Sequence, residues 1–127
     1  MKKIIFIIAP LTLFFTCQLS FAANWVLFFK SAAELDFSIE KDSVHNTSDG
    51  TLLVWEKLVP QDNAKFKPWI ELTELKEVDC NRKRYKTLQK EILYENKPIE
   101  QQYGESQWIY LDTSDLDTAF YKTVCTK

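Results

Sequence analysis

The sequence predicts an α+β domain, an antiparallel sheet of about six strands with one C-terminal helix packed on a face of the sheet. Short runs rich in β-branched and aromatic residues recur between turn residues along most of the chain, which is typical of antiparallel strands. One stretch near the C-terminus instead repeats apolar residues every fourth position, as in an amphipathic helix. Two cysteines are placed so that one disulfide can join this helix to the sheet.

The N-terminal segment has the pattern of a secretory signal peptide. Two lysines precede a nearly apolar run over residues 4–15, and the small residues Ser20 and Ala22 fit a cut after Ala22. The apolar run is shorter than the roughly 20 residues that a membrane-spanning helix needs. We therefore predict that residues 1–22 are a signal peptide.

Residues 23–127 then form one exported domain, without a transmembrane segment after cleavage. Two alternatives change its anchoring. The N-terminal segment can be retained as an anchor helix, or Cys17 can carry a lipid. The bulky residues before Cys17 do not match the small-residue pattern of a lipoprotein signal, so we predict a periplasmic or secreted protein, with cell-surface display as a further location.

The strands follow from composition, alternation and turn residues. At Phe37 and Ile39, apolar residues alternate with polar ones, as in a half-buried strand. Asp49-Gly50 is a strong hairpin signal after that strand. The run at residues 84–94 fits a helix or a strand by periodicity, and its position between strands favours a strand. The predicted strands lie at residues 24–30, 37–39, 51–59, 69–80, 84–94 and 108–111.

The helix is predicted to begin after Thr113 and Ser114. Their hydroxyl groups can cap free backbone N–H groups, and acidic residues in the first turn suit the positive end of the helix dipole. One apolar stripe follows at spacings of four residues, formed by Leu116, Phe120 and Val124. Because such a stripe must be buried, we expect the helix to pack on the sheet.

The cysteine count predicts one disulfide. Removing the leader removes Cys17 and leaves Cys80 and Cys125, an even pair in a small exported domain. The bond would connect the end of the helix to the end of a central strand. The alternative of a zinc site is weak, because the two cysteines and the only histidine, His45, do not make a zinc ligand set.

A spaced pattern of aromatic residues and cysteines covers nearly all of residues 23–127. It consists of Trp25, Asp42-Ser43, Leu53-Val54-Trp55, Val78-Asp79-Cys80-Asn81, Tyr85, Leu88, Tyr94, Trp108-Ile109, Leu116 and Val124-Cys125. The pattern resembles the surface-adhesin protein E-like family of exported bacterial domains. The resemblance implies an antiparallel sheet with a disulfide-held C-terminal helix. It also implies binding of host matrix or plasma proteins such as laminin and vitronectin, through residues 69–92.

A basic cluster stands out on this mildly acidic chain, whose formal net charge is −2. The basic cluster comprises Arg82, Lys83, Arg84 and Lys86. It can bind an acidic partner such as a host glycoprotein, a glycosaminoglycan or lipopolysaccharide. Alternatively, these charges keep a hairpin tip solvated and a sheet edge soluble. We add Trp69 to the candidate partner-binding residues, because it follows Pro68 at a loop edge and is the tryptophan expected to be most exposed.

Other chemistry has weaker support. His45 lies in a polar turn near Ser43 and Ser48, but no glycine-rich nucleophile elbow is present. The two glycines are too few for a phosphate-cradling loop. The acids at the helix start lack the spacing, glycine and distal glutamate of an EF-hand: Asp112, Asp115 and Asp117. We predict no catalytic residue, metal or cofactor, and the acidic balance disfavours a nucleic-acid partner.

The sequence therefore predicts an exported, non-enzymatic domain that binds a protein partner, with host extracellular-matrix proteins as the partner class that the resemblance implies. The alternative is a periplasmic inhibitor or accessory protein that acts on another protein. An enzyme is the weakest of the three interpretations, and the oligomeric state is left open.

Overall fold

The predicted sheet and helix are present in the computed structural model, which describes residues 23–126. The predicted signal peptide, its cleavage site and Cys17 lie outside these residues. The sheet strands are β1 (Trp25–Lys30), β2 (Leu35–Glu40), β3 (His45–Asn46), β4 (Leu52–Pro60), β5 (Glu71–Asp79), β6 (Arg84–Leu93), β7 (Glu100–Tyr103) and β8 (Ile109–Tyr110). A 3₁₀ turn (Lys41–Ser43) precedes β3, and the helix α1 (Asp115–Cys125) follows β8.

The eight strands fill six positions in one antiparallel sheet, in the order β1-β2-β4-β5-β6-β7. The two shortest strands share positions with others, because β3 pairs with β4 beyond the end of β2 and β8 pairs with β6 beyond the end of β7. The prediction of about six strands is therefore confirmed. The sheet is curled as a half-barrel.

The strand at residues 84–94, which fitted either a helix or a strand by periodicity, is β6. Cross-strand charge pairs explain its register against β5, since three basic residues of β6 each lie opposite an acidic residue of β5. These register pairs are Asp79–Arg84, Glu77–Lys86 and Glu74–Lys90. Opposite charges at paired positions stabilise an antiparallel ladder, and like charges would oppose a shifted register.

Two strands and one strand start differ from the prediction. β3 lies in the segment that was expected to be a polar turn, and its pairing with β4 makes it a strand. β7 was not predicted, because Glu-Gln-Gln-Tyr has neither β-branched residues nor apolar alternation, and the exposed backbone edge of β6 makes it a strand. The strand predicted to begin at Trp69 begins at Glu71, and the two preceding residues belong to the loop over residues 61–70.

The hydrophobic core lies between one face of the curled sheet and α1. Its buried residues are Ile39, Val54, Val78, Phe120 and Val124. Phe120 lies at the centre, with its ring centroid 5.9 Å from that of Phe28 and 6.2 Å from that of Tyr85. The helix starts as predicted, because the Ser114 side chain accepts a hydrogen bond from the Asp117 N–H.

The predicted disulfide joins Cys80, directly after β5, to Cys125 at the end of α1. Their Cα atoms are 5.7 Å apart, within the normal range for a disulfide. The bond ties the C-terminal turn of the helix to the turn that carries the basic cluster. Within residues 23–126, no helix is both long enough and apolar enough to cross a membrane.

Candidate functional site

The candidate residues lie at two opposite ends of the sheet. The turn over residues 80–83 and the C-terminus of α1 form one end, here called the disulfide end. Connections over residues 31–34, 61–70 and 94–99 form the other end, here called the loop end. Trp69 belongs to the loop end, and the nine residues of β5 separate it from the basic cluster by about 30 Å. The structure therefore does not bring Trp69 and the basic cluster into one surface.

Two members of the basic cluster are paired with neighbouring acids. Arg84 and Lys86 are half-buried on β6. Arg84 Nε lies 3.1 Å from an Asp79 carboxylate oxygen, and Lys86 Nζ lies 3.2 Å from Glu105. Both cations also lie over the ring of Trp108, at 4.3 Å and 4.8 Å from its centroid. These contacts make Arg84 and Lys86 part of the sheet rather than a free basic patch.

The other two members of the basic cluster project from the turn. The Arg82 side chain is 69% exposed, and its nearest acid, Asp79, is 4.0 Å from Nε. Lys83 is exposed and has a left-handed backbone with φ of 51°. Its Nζ lies 5.3 Å from the ring centroid of Tyr121 on α1. The accessible positive charge of the basic cluster is therefore concentrated in these two residues.

Asp79 holds the turn in this shape. Its carboxylate accepts hydrogen bonds from the Arg82 backbone N–H at 3.2 Å and from Arg84 Nε at 3.1 Å. Burial opposes the charged form, but these hydrogen bonds and the two guanidinium groups outweigh it and lower the pKa of Asp79 below its usual value. The carboxylate is thus ionised at neutral pH, and it fixes the direction in which Arg82 leaves the turn.

Two tyrosines from later parts of the chain flank the turn, one on each face of the sheet. Tyr110 is 65% exposed and lies opposite Arg84 in the β6–β8 register. Tyr121 is half-buried, and its hydroxyl donates a hydrogen bond to the Cys80 carbonyl at 3.4 Å. We call this set, Arg82, Lys83, Tyr110 and Tyr121, the basic–tyrosine surface. Sequence reasoning missed the tyrosines, because only strand pairing and helix packing bring them to the turn.

A buried ion pair lies beneath α1, on the face of the sheet that the helix covers. Lys76 Nζ is 2.7 Å from Glu56 Oε1, and both residues are buried. Burial raises the pKa of Glu56 despite the nearby ammonium group. For Lys76, burial favours the neutral amine, but the Glu56 carboxylate outweighs it and raises the pKa.

The cleft that contains this ion pair has a volume of about 190 Å³. Lys76 Nζ also lies over the rings of Tyr85 and Phe120, at 4.4 Å and 5.1 Å from their centroids. These contacts compensate the ammonium group on several sides. The alternation of β4 and β5 in the sequence already places Glu56 and Lys76 at inward positions, so the sequence pattern could have identified this pair.

The remaining candidates from the sequence, His45 and the acids at the start of α1, contact nearby backbone groups. His45 is exposed in β3, and its Nδ1 lies 2.9 Å from the Ser43 carbonyl oxygen. Asp112 accepts a hydrogen bond from the Ser114 N–H at 2.8 Å, and Asp117 accepts one from the Asp112 N–H at 2.9 Å. These acids therefore organise the start of α1. In the part of the chain that the structure describes, no group of three or more His, Cys, Asp or Glu side chains could hold a metal ion.

Comparison of the chain with family models, curated proteins and solved structures found no match. The function is therefore inferred from the fold and from the residues of these sites.

Proposed function

We propose that this protein is an exported, non-enzymatic binding domain, of the kind implied by its resemblance to the surface-adhesin protein E-like family. Its partner is a protein with an acidic face, and host matrix and plasma proteins are the partner class. The observation that carries the proposal is the basic–tyrosine surface, where Arg82 and Lys83 project from a rigid turn beside the exposed Tyr110.

The composition of this surface supports protein binding. Tyrosine and arginine are enriched at protein interfaces and among the residues that contribute most to binding energy. The chain has a formal net charge of −2, so the two exposed cations form a local exception on an acidic protein. Such a local charge steers an acidic partner to one orientation and disfavours basic partners.

The rigidity of the turn also supports the proposal. Cys80 is bonded to Cys125, and Asp79 holds the Arg82 N–H, so the chain is restrained directly before the exposed cations. On the other side, the Leu111 N–H donates a hydrogen bond to the Lys83 carbonyl at 2.8 Å. A surface that is ordered before binding loses less conformational entropy on association.

Reversing the charges of the turn should weaken binding. We expect the double variant Arg82→Glu/Lys83→Glu to bind immobilised laminin or vitronectin about tenfold more weakly, or about 1.4 kcal/mol. Wild-type binding should also fall with rising salt, and the variant should lose most of that dependence, because salt screens the attraction that the variant lacks. Surface plasmon resonance at several salt concentrations measures both effects.

The matched control is Lys65→Glu/Lys67→Glu, which makes the same change of charge at two exposed lysines of the loop end, about 30 Å from the basic–tyrosine surface. Equal weakening of binding in both variants would show that the net charge of the protein alone causes the effect. That result would contradict the assigned surface. Failure of the wild-type protein to bind either matrix protein would contradict this partner class.

The location of the protein is tested separately. The disulfide is compatible with an exported protein, since such bonds persist in oxidising compartments. If the domain is displayed, protease added to intact cells should degrade it, and a periplasmic marker should stay intact. Protection of the domain would instead favour the alternative of a periplasmic inhibitor or accessory protein.

A further inference from the structure

The loop end exposes large apolar side chains from two separate loops. Phe66 is 78% exposed and Ile70 is 46% exposed in the loop over residues 61–70. Ile99, in the connection that follows β6, is 52% exposed. Because β5 and β6 are paired, the two loops lie side by side at this end of the sheet, where large exposed apolar side chains can contact something apolar. We call these three residues the apolar tip.

Hydrogen bonds hold the apolar tip in place. The Gln61 N–H donates to the Glu34 carbonyl at 2.8 Å, and the Lys65 N–H donates to the Glu34 carboxylate at 3.0 Å. At the other end of the loop, the Ile70 N–H donates to the Leu93 carbonyl at 2.8 Å. The loop is therefore tied both to the β1–β2 turn and to the end of β6, and it presents Phe66 from a fixed backbone.

Lysines are interleaved with the apolar residues. Phe66 lies between Lys65 and Lys67, and Lys97 precedes Pro98 and Ile99 in the second loop. All three lysines are exposed. Three acids of this end, Glu34, Asp62 and Glu95, balance the three lysines, so the loop end is neutral overall on an acidic protein and its positive charges directly flank the exposed apolar residues. Lysine side chains can extend their charged ends past buried apolar neighbours, so this arrangement suits the boundary between an apolar and an anionic layer.

We propose that the apolar tip docks the domain on the surface of an anionic lipid bilayer. Phe66, Ile70 and Ile99 would enter the boundary between headgroups and acyl chains, and Lys65, Lys67 and Lys97 would face the anionic headgroups. Interfacial binding of this kind combines a modest apolar area with electrostatic attraction to anionic lipids. A protein partner is the alternative, and the vesicle experiment distinguishes it from the bilayer.

Trp69 has a defined part in this arrangement. It is half-buried and lines a groove of about 290 Å³ together with Pro60, Pro68 and Ile70. Tryptophan is enriched at membrane–water boundaries, where its amphipathic ring lies at headgroup level. Because β5 separates the two ends by about 30 Å, the basic–tyrosine surface would point away from the bilayer and stay accessible.

Vesicle co-sedimentation tests the proposal. The purified protein, with its intact mass recorded to establish whether residues 1–22 are present, is mixed with vesicles of equal parts phosphatidylcholine and phosphatidylglycerol. We expect binding that falls with salt and with removal of phosphatidylglycerol. The variant Phe66→Ser/Ile70→Ser should bind at least about tenfold more weakly, since it removes two of the apolar side chains that would leave water on docking.

The matched control is Ile109→Ser, because Ile109 is also 46% exposed and lies in β8, outside the loop end. It should bind vesicles like the wild-type protein, and circular dichroism should show that all variants are folded. A second variant, Lys65→Glu/Lys67→Glu, should lose binding to anionic vesicles.

Three results would overturn the proposal. The first is a wild-type protein that stays in the supernatant with anionic vesicles. The second is an equal loss of vesicle binding in the tip variant and in Ile109→Ser. The third is tip-dependent binding of a protein ligand without vesicle binding, which would assign the apolar tip to a protein partner instead.

Discussion

Replacing both Cys80 and Cys125 by alanine is expected to lower the free energy of unfolding by about 4 kcal/mol. The two cysteines are 45 residues apart, and the bond restricts the unfolded chain over that whole loop. The stability of a domain of this size is typically about 5–15 kcal/mol, so the loss would be a large part of the total. Urea unfolding followed by tryptophan fluorescence measures the change.

The reducing agent is the matched control for this prediction. Reduction should destabilise the wild-type protein to a similar extent and leave the double-alanine variant unchanged, because the variant has no bond to reduce. An unchanged unfolding midpoint in the variant would contradict the structural role of the disulfide. The variant should also bind its partner more weakly, since Cys80 is the first residue of the turn that presents the basic–tyrosine surface.

Replacing Lys76 by methionine is expected to cost about 3–5 kcal/mol of stability at neutral pH, because it leaves a buried carboxylate without its partner. Glu56 is buried under α1, and Lys76 Nζ at 2.7 Å is its charged neighbour in the cleft. Methionine keeps the length and apolar contacts of the lysine stem, so the cost would arise mainly from the uncompensated charge.

The loss should depend on pH, with a defined sign. Burial already raises the pKa of Glu56, and loss of the Lys76 ammonium group should raise it further above the value in the unfolded chain. The folded variant then binds a proton more tightly than the unfolded one, so its stability falls as pH rises and recovers as pH falls. Urea unfolding at acidic and neutral pH should show a smaller deficit relative to wild type at acidic pH.

Two further variants check the cause. Glu56→Leu/Lys76→Met removes both charges and should recover most of the stability, since apolar residues can replace a buried ion pair at little cost. Lys30→Met removes the exposed partner of Asp36, 3.9 Å away, and should cost at most about 1 kcal/mol. If the double variant were as unstable as Lys76→Met, the cost would come from packing rather than from the unpaired carboxylate.

The candidate sites illustrate how far sequence reasoning reaches. The basic cluster is contiguous in the sequence, and its existence needed no structure. The structure was needed to divide the cluster into two neutralised and two exposed cations. Strand register and the return of the chain bring Arg84 and Lys86 to their partners, which are Asp79, Glu105 and Trp108. The same holds for Tyr110, which reaches the turn through the pairing of β8 with β6.

At the loop end, sequence reasoning identified one surface residue and missed its neighbours. Trp69 was singled out from its position after a proline, and it does line a surface groove. Its more exposed neighbours, Phe66 and Ile70, were overlooked, since apolar residues in a short segment can be buried or exposed with equal ease. Only the placement of the two loops side by side shows that Ile99 belongs with them.

The sequence by itself determined the fold class, the C-terminal helix and the disulfide pair. These depend on local patterns: alternation, helical spacing, turn residues and the count of cysteines. The tertiary structure decided which charges are neutralised, which aromatic residues surround the turn, and that Glu56 and Lys76 are buried together. Those outcomes depend on strand register and sheet curvature, which bring together side chains from distant parts of the chain.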